Sequence, residues 1–148
     1  MGNSSILQKT EYDTKGNETT KTDGNGDQIS YAYDDQNRVT EITQGGQKTK
    51  VSYLTTKDGI QSLSYIYDEN GWLQEIKGVL HSKGQTTEKV LRSYTYDTYG
   101  KVKEIKDYRN LLKDSDQVVQ KVYTYDSFDR VKEMTYTDLE TGKVMESY

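Results

Sequence analysis

Tyr94-Thr95-Tyr96-Asp97-Thr98-Tyr99-Gly100-Lys101-Val102-Lys103-Glu104-Ile105 decides the fold. It reads as a strand, a tight turn and a returning strand. Tyr94 and Tyr96 lie two apart and project from one face of an extended segment. Asp97 suits the first position of a type I turn, where its carboxylate accepts a local backbone N–H. Gly100, three residues on, suits the left-handed residue that closes a three-residue hairpin loop. Lys101 to Ile105 then leads back.

The chain writes this unit again at Tyr31 to Ile42, Tyr65 to Ile76 and Tyr123 to Met134, with a degenerate first copy from Tyr12. The closing position holds Gly16, Asn37, Gly71, Gly100 and Asp129, the residue types that best tolerate positive φ. The anchoring aspartates are Asp13, Asp34, Asp68, Asp97 and Asp126, at spacings of 21, 34, 29 and 29. Self-similarity on this scale is the signature of a repeat architecture.

Tyr-x-Tyr-Asp-x-x-Gly-Arg-Val/Leu resembles the tyrosine–aspartate (YD, or Rhs) repeat of bacterial wall-associated proteins, toxin-complex shells and teneurins. Tyr12-Asp13-Thr14-Lys15-Gly16-Asn17 through Thr22-Asp23-Gly24-Asn25-Gly26 to Tyr31-Ala32-Tyr33-Asp34 matches its usual short spacing. The likeness runs from about Tyr12 onward and departs where Trp72 and Lys101 replace the usual arginine. It implies a scaffold rather than a defined chemistry. Long members coil into shells that enclose a toxin or carry one at the C-terminus; this chain is too short to enclose a domain.

The 148 residues suit one domain, 1–148. A hydrophobic content of 31% and a mean hydropathy of −1.02 would ordinarily indicate disorder. Fourteen tyrosines in phase with the turn signals argue instead for a thin aromatic core. Net charge is −4 with the signs interspersed, and no basic stripe points to nucleic acid. No apolar run is long enough for a transmembrane helix. Cysteine is absent, which excludes disulfides and Cys-based zinc sites, and so is proline, as suits dense ladders. Met1 to Ser5 shows no signal peptide, so the chain is either cytosolic or trimmed of its signal. The resemblance favours trimming, and with it a secreted or cell-surface location.

Taken in order, the turns predict about 11 to 13 antiparallel strands in sequence and no helix. The stretch from Arg38 to Tyr67 is the hardest to divide. A turn at Gly45-Gly46 and another at Lys57-Asp58-Gly59 would make an extra hairpin there, sending the Asp68 turn to the opposite end of the sheet. Further on, Trp72 to His81 pairs with Thr86 to Tyr96 across Ser82-Lys83-Gly84-Gln85. Lys101 to Asn110 pairs with Gln117 to Tyr125 across Leu111 to Asp116, and Arg130 to Thr137 with Lys143 to Tyr148. These later strands are expected to run nine to ten residues. Val102 and Ile105 lie three apart, as do Val39 and Ile42, Leu73 and Ile76, and Val131 and Met134. Either both faces are partly covered, or a bulge resets the phase. A long sheet with two sticky faces must curve strongly, and it can close into a barrel or form part of a spiral shell.

Four side-chain sets could carry chemistry. Glu41, Glu75, Glu104 and Glu133 recur at one repeat position, a poor place for a single active site; they are expected to face Lys or Thr on neighbouring strands. Asp23-Gly24-Asn25-Gly26-Asp27 resembles the start of a calcium loop but continues as strand and reads as a polar turn. His81, the sole histidine, sits beside a turn with no nucleophile–base motif around it. Trp72, the sole tryptophan, stands where other copies hold Arg, Lys or Asn. With Tyr65 and Tyr67 across the hairpin, Trp72 could stack on a sugar or a protein; the plainer reading is packing.

The sequence therefore favours a non-catalytic repeat scaffold, free-standing or part of a longer chain, with no cofactor and no metal. The first rival is a module binding cell-wall glycan or protein through Trp72, Tyr65 and Tyr67. The second is an enzyme, for which no constellation of residues speaks.

Overall fold

The computed structural model describes residues 7–56, 59–82, 84–108 and 118–148. These residues form one twelve-stranded antiparallel sheet: β1 (Lys9–Tyr12), β2 (Glu18–Thr22), β3 (Gln28–Tyr33), β4 (Val39–Gln44), β5 (Gln47–Thr56), β6 (Gly59–Tyr67), β7 (Leu73–Ser82), β8 (Gln85–Tyr96), β9 (Val102–Asp107), β10 (Val119–Tyr125), β11 (Val131–Asp138) and β12 (Val144–Ser147). Spatial order equals chain order, so the sheet is an open meander with β1 and β12 at its edges. No helix occurs among the described residues. The later strands are uneven rather than uniformly nine to ten residues: β9 has 6, β10 has 7, β11 has 8 and β12 has 4. The turn expected at Lys57-Asp58-Gly59 and the link expected at Leu111 to Asp116 involve residues outside the described ones.

Each tyrosine–aspartate hairpin closes in the same way. The anchoring N–H donates to the carbonyl four residues on, and the N–H of the closing residue donates back to the aspartate carbonyl, as at Asp97 (2.9 Å to Lys101; 3.2 Å from Gly100). The closing residues Gly16, Asn37, Gly71, Gly100 and Asp129 all have positive φ, between 59° and 86°. Asp23 anchors a sixth turn of this kind with Gly26 at its closing position, so the Asp23–Asp27 stretch is a copy of the repeat's own turn.

Beyond five of these turns the ladder slips by one residue at the same place. Tyr96 pairs with Val102 while Thr95 pairs with Glu104, which leaves Lys103 as the extra residue; Thr19, Thr40, Gln74 and Lys132 occupy the equivalent positions. This bulge explains the three-residue apolar spacing. Val102 faces Tyr96 and Ile105 faces Tyr94; Val39 and Ile42 face Tyr33 and Tyr31. Leu73 and Ile76 likewise face Tyr67 and Tyr65, and Val131 and Met134 face Tyr125 and Tyr123. Each tyrosine pair is thus brought against an apolar pair on one side of the sheet.

Which side that is changes midway. Gly45-Gly46, with φ of 56° and 80°, forms a two-residue turn between Gln44 and Gln47 in which both residues are left-handed, as a type I′ turn requires. The extra hairpin expected between Arg38 and Tyr67 is therefore present as β5 and β6. Tyr31 lies opposite Ile42, Ile42 opposite Thr49, and Thr49 opposite Ile66. Ile66 alternates with Tyr65 and Tyr67, so these two project from the opposite side to Tyr31 and Tyr33. The inserted hairpin also moves the turns: those at Asp13 and Asp34 lie at one end of the strands, those at Asp68, Asp97 and Asp126 at the other.

With a single layer the core is small. Val119 and Met134 are the buried hydrophobic residues among those described, and they occupy neighbouring strands on the tyrosine side. Val119 is 3% exposed and Met134 6%. The accessible surface is 10786 Å², well above the roughly 7,700 Å² that a compact monomer of 17.0 kDa would show.

Candidate functional site

The anchoring aspartates and the residues four positions beyond them gather at the turns, where the hairpins themselves consume most of their polar groups. Each anchoring carboxylate accepts two backbone N–H groups through Oδ1: at Asp97 from Tyr99 (2.9 Å) and Lys101 (2.9 Å), at Asp34 from Gln36 and Arg38, and at Asp126 from Phe128 and Arg130. Asp13, Asp23 and Asp68 do the same. Oδ2 is met by the residue four positions on: Asn17 at 3.0 Å, Arg38 at 2.8 Å, Arg130 at 2.8 Å and, more distantly, Lys101 at 3.7 Å. Trp72 cannot make that contact, and Gln74 supplies it instead, at 3.1 Å to Asp68.

These bonds hold several of the carboxyl groups below the usual carboxylate range. At Asp13 the cause is the Asn17 side-chain amide, followed by the Asn17 backbone N–H. At Asp34 and Asp126 it is chiefly the backbone N–H of Arg38 and of Arg130. At Asp97 burial pulls upward but the N–H groups of Lys101 and Tyr99 outweigh it. A depressed folded pKa gives stability that is complete above the unfolded value of about 3.9 and is lost as pH falls through the folded value. The protein is therefore expected to lose stability below about pH 4. Asp→Asn at positions 13, 34, 97 and 126, which keeps an oxygen acceptor but does not titrate, should flatten that limb in melting curves against pH. An unchanged limb would mean that the turns do not hold these carboxylates.

Successive turns at one end touch by a recurring rule: the residue four past one aspartate meets the closing residue of the next turn. Asn17 Nδ2 donates to Asn37 Oδ1 at 3.0 Å, and Lys101 Nζ bonds to Asp129. Trp72 obeys the same rule through packing. A Cβ on Gly100 would lie 2.7 Å from Trp72 Cζ2, and the indole sits 5.4 Å from the Tyr96 ring, tilted by 43°. The tyrosine before the aspartate adds a second link between neighbours. Tyr33 donates to the Glu18 carbonyl (2.6 Å), Tyr96 to Leu73 (2.6 Å) and Tyr125 to Val102 (2.5 Å), in each case beside the preceding bulge. Tyr53 of the inserted hairpin fills this role towards Val39 (2.8 Å).

Against this frame the sequence-predicted residues fall as follows. Trp72 is half-buried between Tyr96 and Gly100. Tyr65 and Tyr67 are half-buried on β6, facing Ile76 and Leu73. Tyr67, with Lys48, Lys50, Asp68 and Glu69, lines a shallow groove of about 350 Å³ beside the Gly45-Gly46 turn, in which Trp72 has no part. Glu41 pairs with Lys48 at 3.1 Å, Glu75 with Lys77 at 3.7 Å and Glu104 with Lys106 at 3.2 Å. Glu133 lies opposite Thr124. The glutamates are thus spread over four strands among Lys and Thr. Asp23 Oδ1 is occupied by the N–H groups of Asn25 (2.8 Å) and Asp27 (3.0 Å). The backbone of His81 pairs with Thr86, and its side chain lies outside the described part.

Two exposed aromatics share in the turn contacts: Lys101 Nζ lies 5.5 Å from the Tyr99 ring centroid, and Arg130 Cζ lies 5.3 Å from that of Phe128. Tyr99 and Phe128 are 85% and 76% exposed, and each stands two residues after its aspartate. The other copies place Lys15, Asn25, Gln36 and Asn70 there. The contrast of residue type at one repeat position was the available signal.

Residues 12–49 match the family model described as RHS Repeat, and over that span the chain carries this repeat. No curated protein matches the chain in sequence. Among solved structures it is similar to a Photorhabdus luminescens Tc holotoxin pore, at 17% identity and a TM-score of 0.48 over 97% of this chain. It is also similar to TcdB2-TccC3-TEV, at 16% identity and a TM-score of 0.43 over 95%. The chain spans 7% and 9% of the length of those two chains.

Proposed function

We propose that the protein is a non-catalytic structural scaffold of the RHS-repeat kind, secreted or displayed at the cell surface, either alone or within a longer repeat protein. One observation carries this reading: the recurring polar groups are spent on joining one repeat to the next. Asp carboxylates close turns, Tyr hydroxyls meet the carbonyls beside the bulges, and the residue after each turn reaches its neighbour. A scaffold needs these contacts, and a catalytic group needs freedom from them. The glutamate positions fit the same reading, since lysine-paired carboxylates dispersed over a sheet offer no acid–base couple.

Two measurements test it. Labelling of intact producing cells with a membrane-impermeant amine reagent should mark the protein without lysis; labelling only after lysis would overturn the extracellular placement. Glycan and peptide substrates should remain unchanged on long incubation with the purified chain. Turnover that disappears in Glu75→Gln, Glu104→Gln or His81→Ala would overturn the non-catalytic reading.

A further inference from the structure

The Asp138 turn is a variant of the repeat turn with one extra residue. The Asp138 N–H donates to the Lys143 carbonyl (2.9 Å), its carboxylate accepts the Glu140 N–H (2.9 Å), and Gly142 closes the loop at φ 69°. The ladder beyond it slips as it does after the others. Thr137 pairs with Val144 while Tyr136 pairs with Glu146, which leaves Met145 as the extra residue. Val144 therefore stands where Glu18, Val39, Leu73 and Val102 stand, and each of those offers its carbonyl to a tyrosine hydroxyl on the next strand. β12 is an edge of the described sheet, so Val144 meets no such tyrosine there. At the other edge, Tyr12 precedes an anchoring aspartate as Tyr33, Tyr96 and Tyr125 do. It is 63% exposed, and its hydroxyl finds no acceptor among the described residues. One edge thus carries the accepting half of a link and the other the donating half. We infer that β12 of one molecule pairs with β1 of a second copy of this chain, Tyr12 donating to the Val144 carbonyl, so that molecules join head to tail. This deepens the scaffold reading and rests on it: the contact between molecules is the contact between repeats.

The existing links set the register of this junction. In each, the accepting residue lies opposite the residue just before the tyrosine. The ladder through Glu104 and Val122, carried outward, sets Val102 opposite Thr124, one short of Tyr125. The ladders through Thr20 and Ser30, Glu41 and Lys50, and Glu75 and Ser93 do the same for Glu18, Val39 and Leu73. By this rule Val144 lies opposite Glu11, which brings Glu146 opposite Lys9 and Tyr148 opposite Leu7. Glu146 and Lys9 also leave the sheet on one side, that of Met134. Glu146 does so through its partner Tyr136, and Lys9 because it lies three residues from Tyr12, which shares its side with Tyr31. A register shifted by two would set Glu146 opposite Glu11 or Leu7 and lose the opposite-charge pair. The edges are apolar as well. Leu7 and Tyr12 on one and Val144, Met145 and Tyr148 on the other are five of the ten exposed large hydrophobic residues among those described. Edge strands are commonly guarded by unpaired charge or proline. Here proline is absent, and Lys9 is already neutralised by Glu11 at 2.6 Å. Because two different edges meet, the contact does not close by two-fold symmetry, and assembly continues past the dimer.

The test is sedimentation velocity on the full chain from about 10 μM to about 1 mM, the range in which a short ladder contact associates. The mean mass should rise with concentration and pass that of a dimer. Tyr12→Phe, which removes only the hydroxyl, should weaken association about three- to tenfold. Lys9→Glu and Glu146→Lys each set like charges opposite one another and should each weaken it about tenfold. An equal mixture of these two variants should associate again, because every junction between unlike molecules is once more an opposite-charge pair. Melting temperatures of the variants should match the parent, since Tyr12, Lys9 and Glu146 are all exposed. A monomer at every concentration would overturn the inference while leaving the scaffold reading to its own labelling and turnover tests. A dimer that does not grow would overturn it too. So would association unmoved by Glu146→Lys, the sign of β1 pairing with β1, or a mixture that fails to recover.

Discussion

Replacing Gly100 with valine should be among the most damaging single changes in the chain, costing about 2–6 kcal/mol from two separate sources. The first is backbone strain: Gly100 has φ +83, and a β-branched residue held there costs on the order of 1–3 kcal/mol. The second is collision. A Cβ at this position lies 2.7 Å from Trp72 Cζ2 and 2.9 Å from Cε2, and forcing a side chain into packed space costs about 1–3 kcal/mol more. Gly16 separates the two sources, because its φ is +86 but nothing lies within 4 Å of its would-be Cβ. Gly16→Val should therefore cost the strain alone, about 1–3 kcal/mol. Thr98→Val, at the exposed tip of the same turn as Gly100, should stay within about 0.5 kcal/mol. Urea midpoints of the three variants check this directly. Equal losses for Gly100→Val and Gly16→Val would mean that Trp72 does not press on the turn, and equal losses for Gly100→Val and Thr98→Val would refute the turn itself. Adding Trp72→Ala to Gly100→Val supplies a cycle: relief of the collision should appear as a coupling of about 1 kcal/mol or more.

The contrast between Gly16 and Gly100 also marks what could be read from residues alone. The left-handed closing positions are legible, because only Gly, Asn and Asp adopt positive φ at little cost, and that choice is written at each turn. The bulge is legible only indirectly. Its extra residue is Thr19, Thr40, Gln74, Lys103 or Lys132, residues with no conformational signature, so it shows itself through the three-residue spacing of Val102 and Ile105. The reversal of the tyrosine side depends on a parity, namely whether Gly45-Gly46 is a bulge or a turn. One residue pair then decides the orientation of every later strand. The partner of Trp72 could not be seen, because Tyr96 and Gly100 belong to the next repeat and nothing local indicates which repeats share an end. Tyr99 and Phe128 were legible in principle, by comparison with Lys15, Asn25, Gln36 and Asn70. They pass unnoticed when tyrosine is counted as core throughout, as its density in this chain encourages.

Tyr96 is the second residue whose loss should be felt widely, because it serves both links between repeats at once. Its ring carries the Trp72 contact, and its hydroxyl donates to the Leu73 carbonyl at 2.6 Å. Tyr96→Phe removes the hydroxyl alone and should cost about 0.5–1.5 kcal/mol. Tyr96→Ala removes the ring too. A fully buried aromatic would cost about 3–5 kcal/mol on truncation; for this half-buried ring about 2–4 kcal/mol is expected. The hydroxyl carries a further signature in pH. Burial raises the pKa of Tyr33, Tyr96 and Tyr125 above the ordinary phenol value. A raised folded pKa gives stability that is complete below the unfolded value of about 10 and is lost as pH climbs through the folded value. A phenolate, moreover, has no proton to donate to the carbonyl. The protein should therefore weaken above about pH 10, and the triple variant Tyr33→Phe, Tyr96→Phe, Tyr125→Phe should start less stable but lose less over that interval. Melting temperatures followed from neutral to alkaline pH measure both effects. Parallel curves for parent and triple variant would show that these hydroxyls do not join the repeats, and the stability of the meander would then rest on the tyrosine rings and the turns alone.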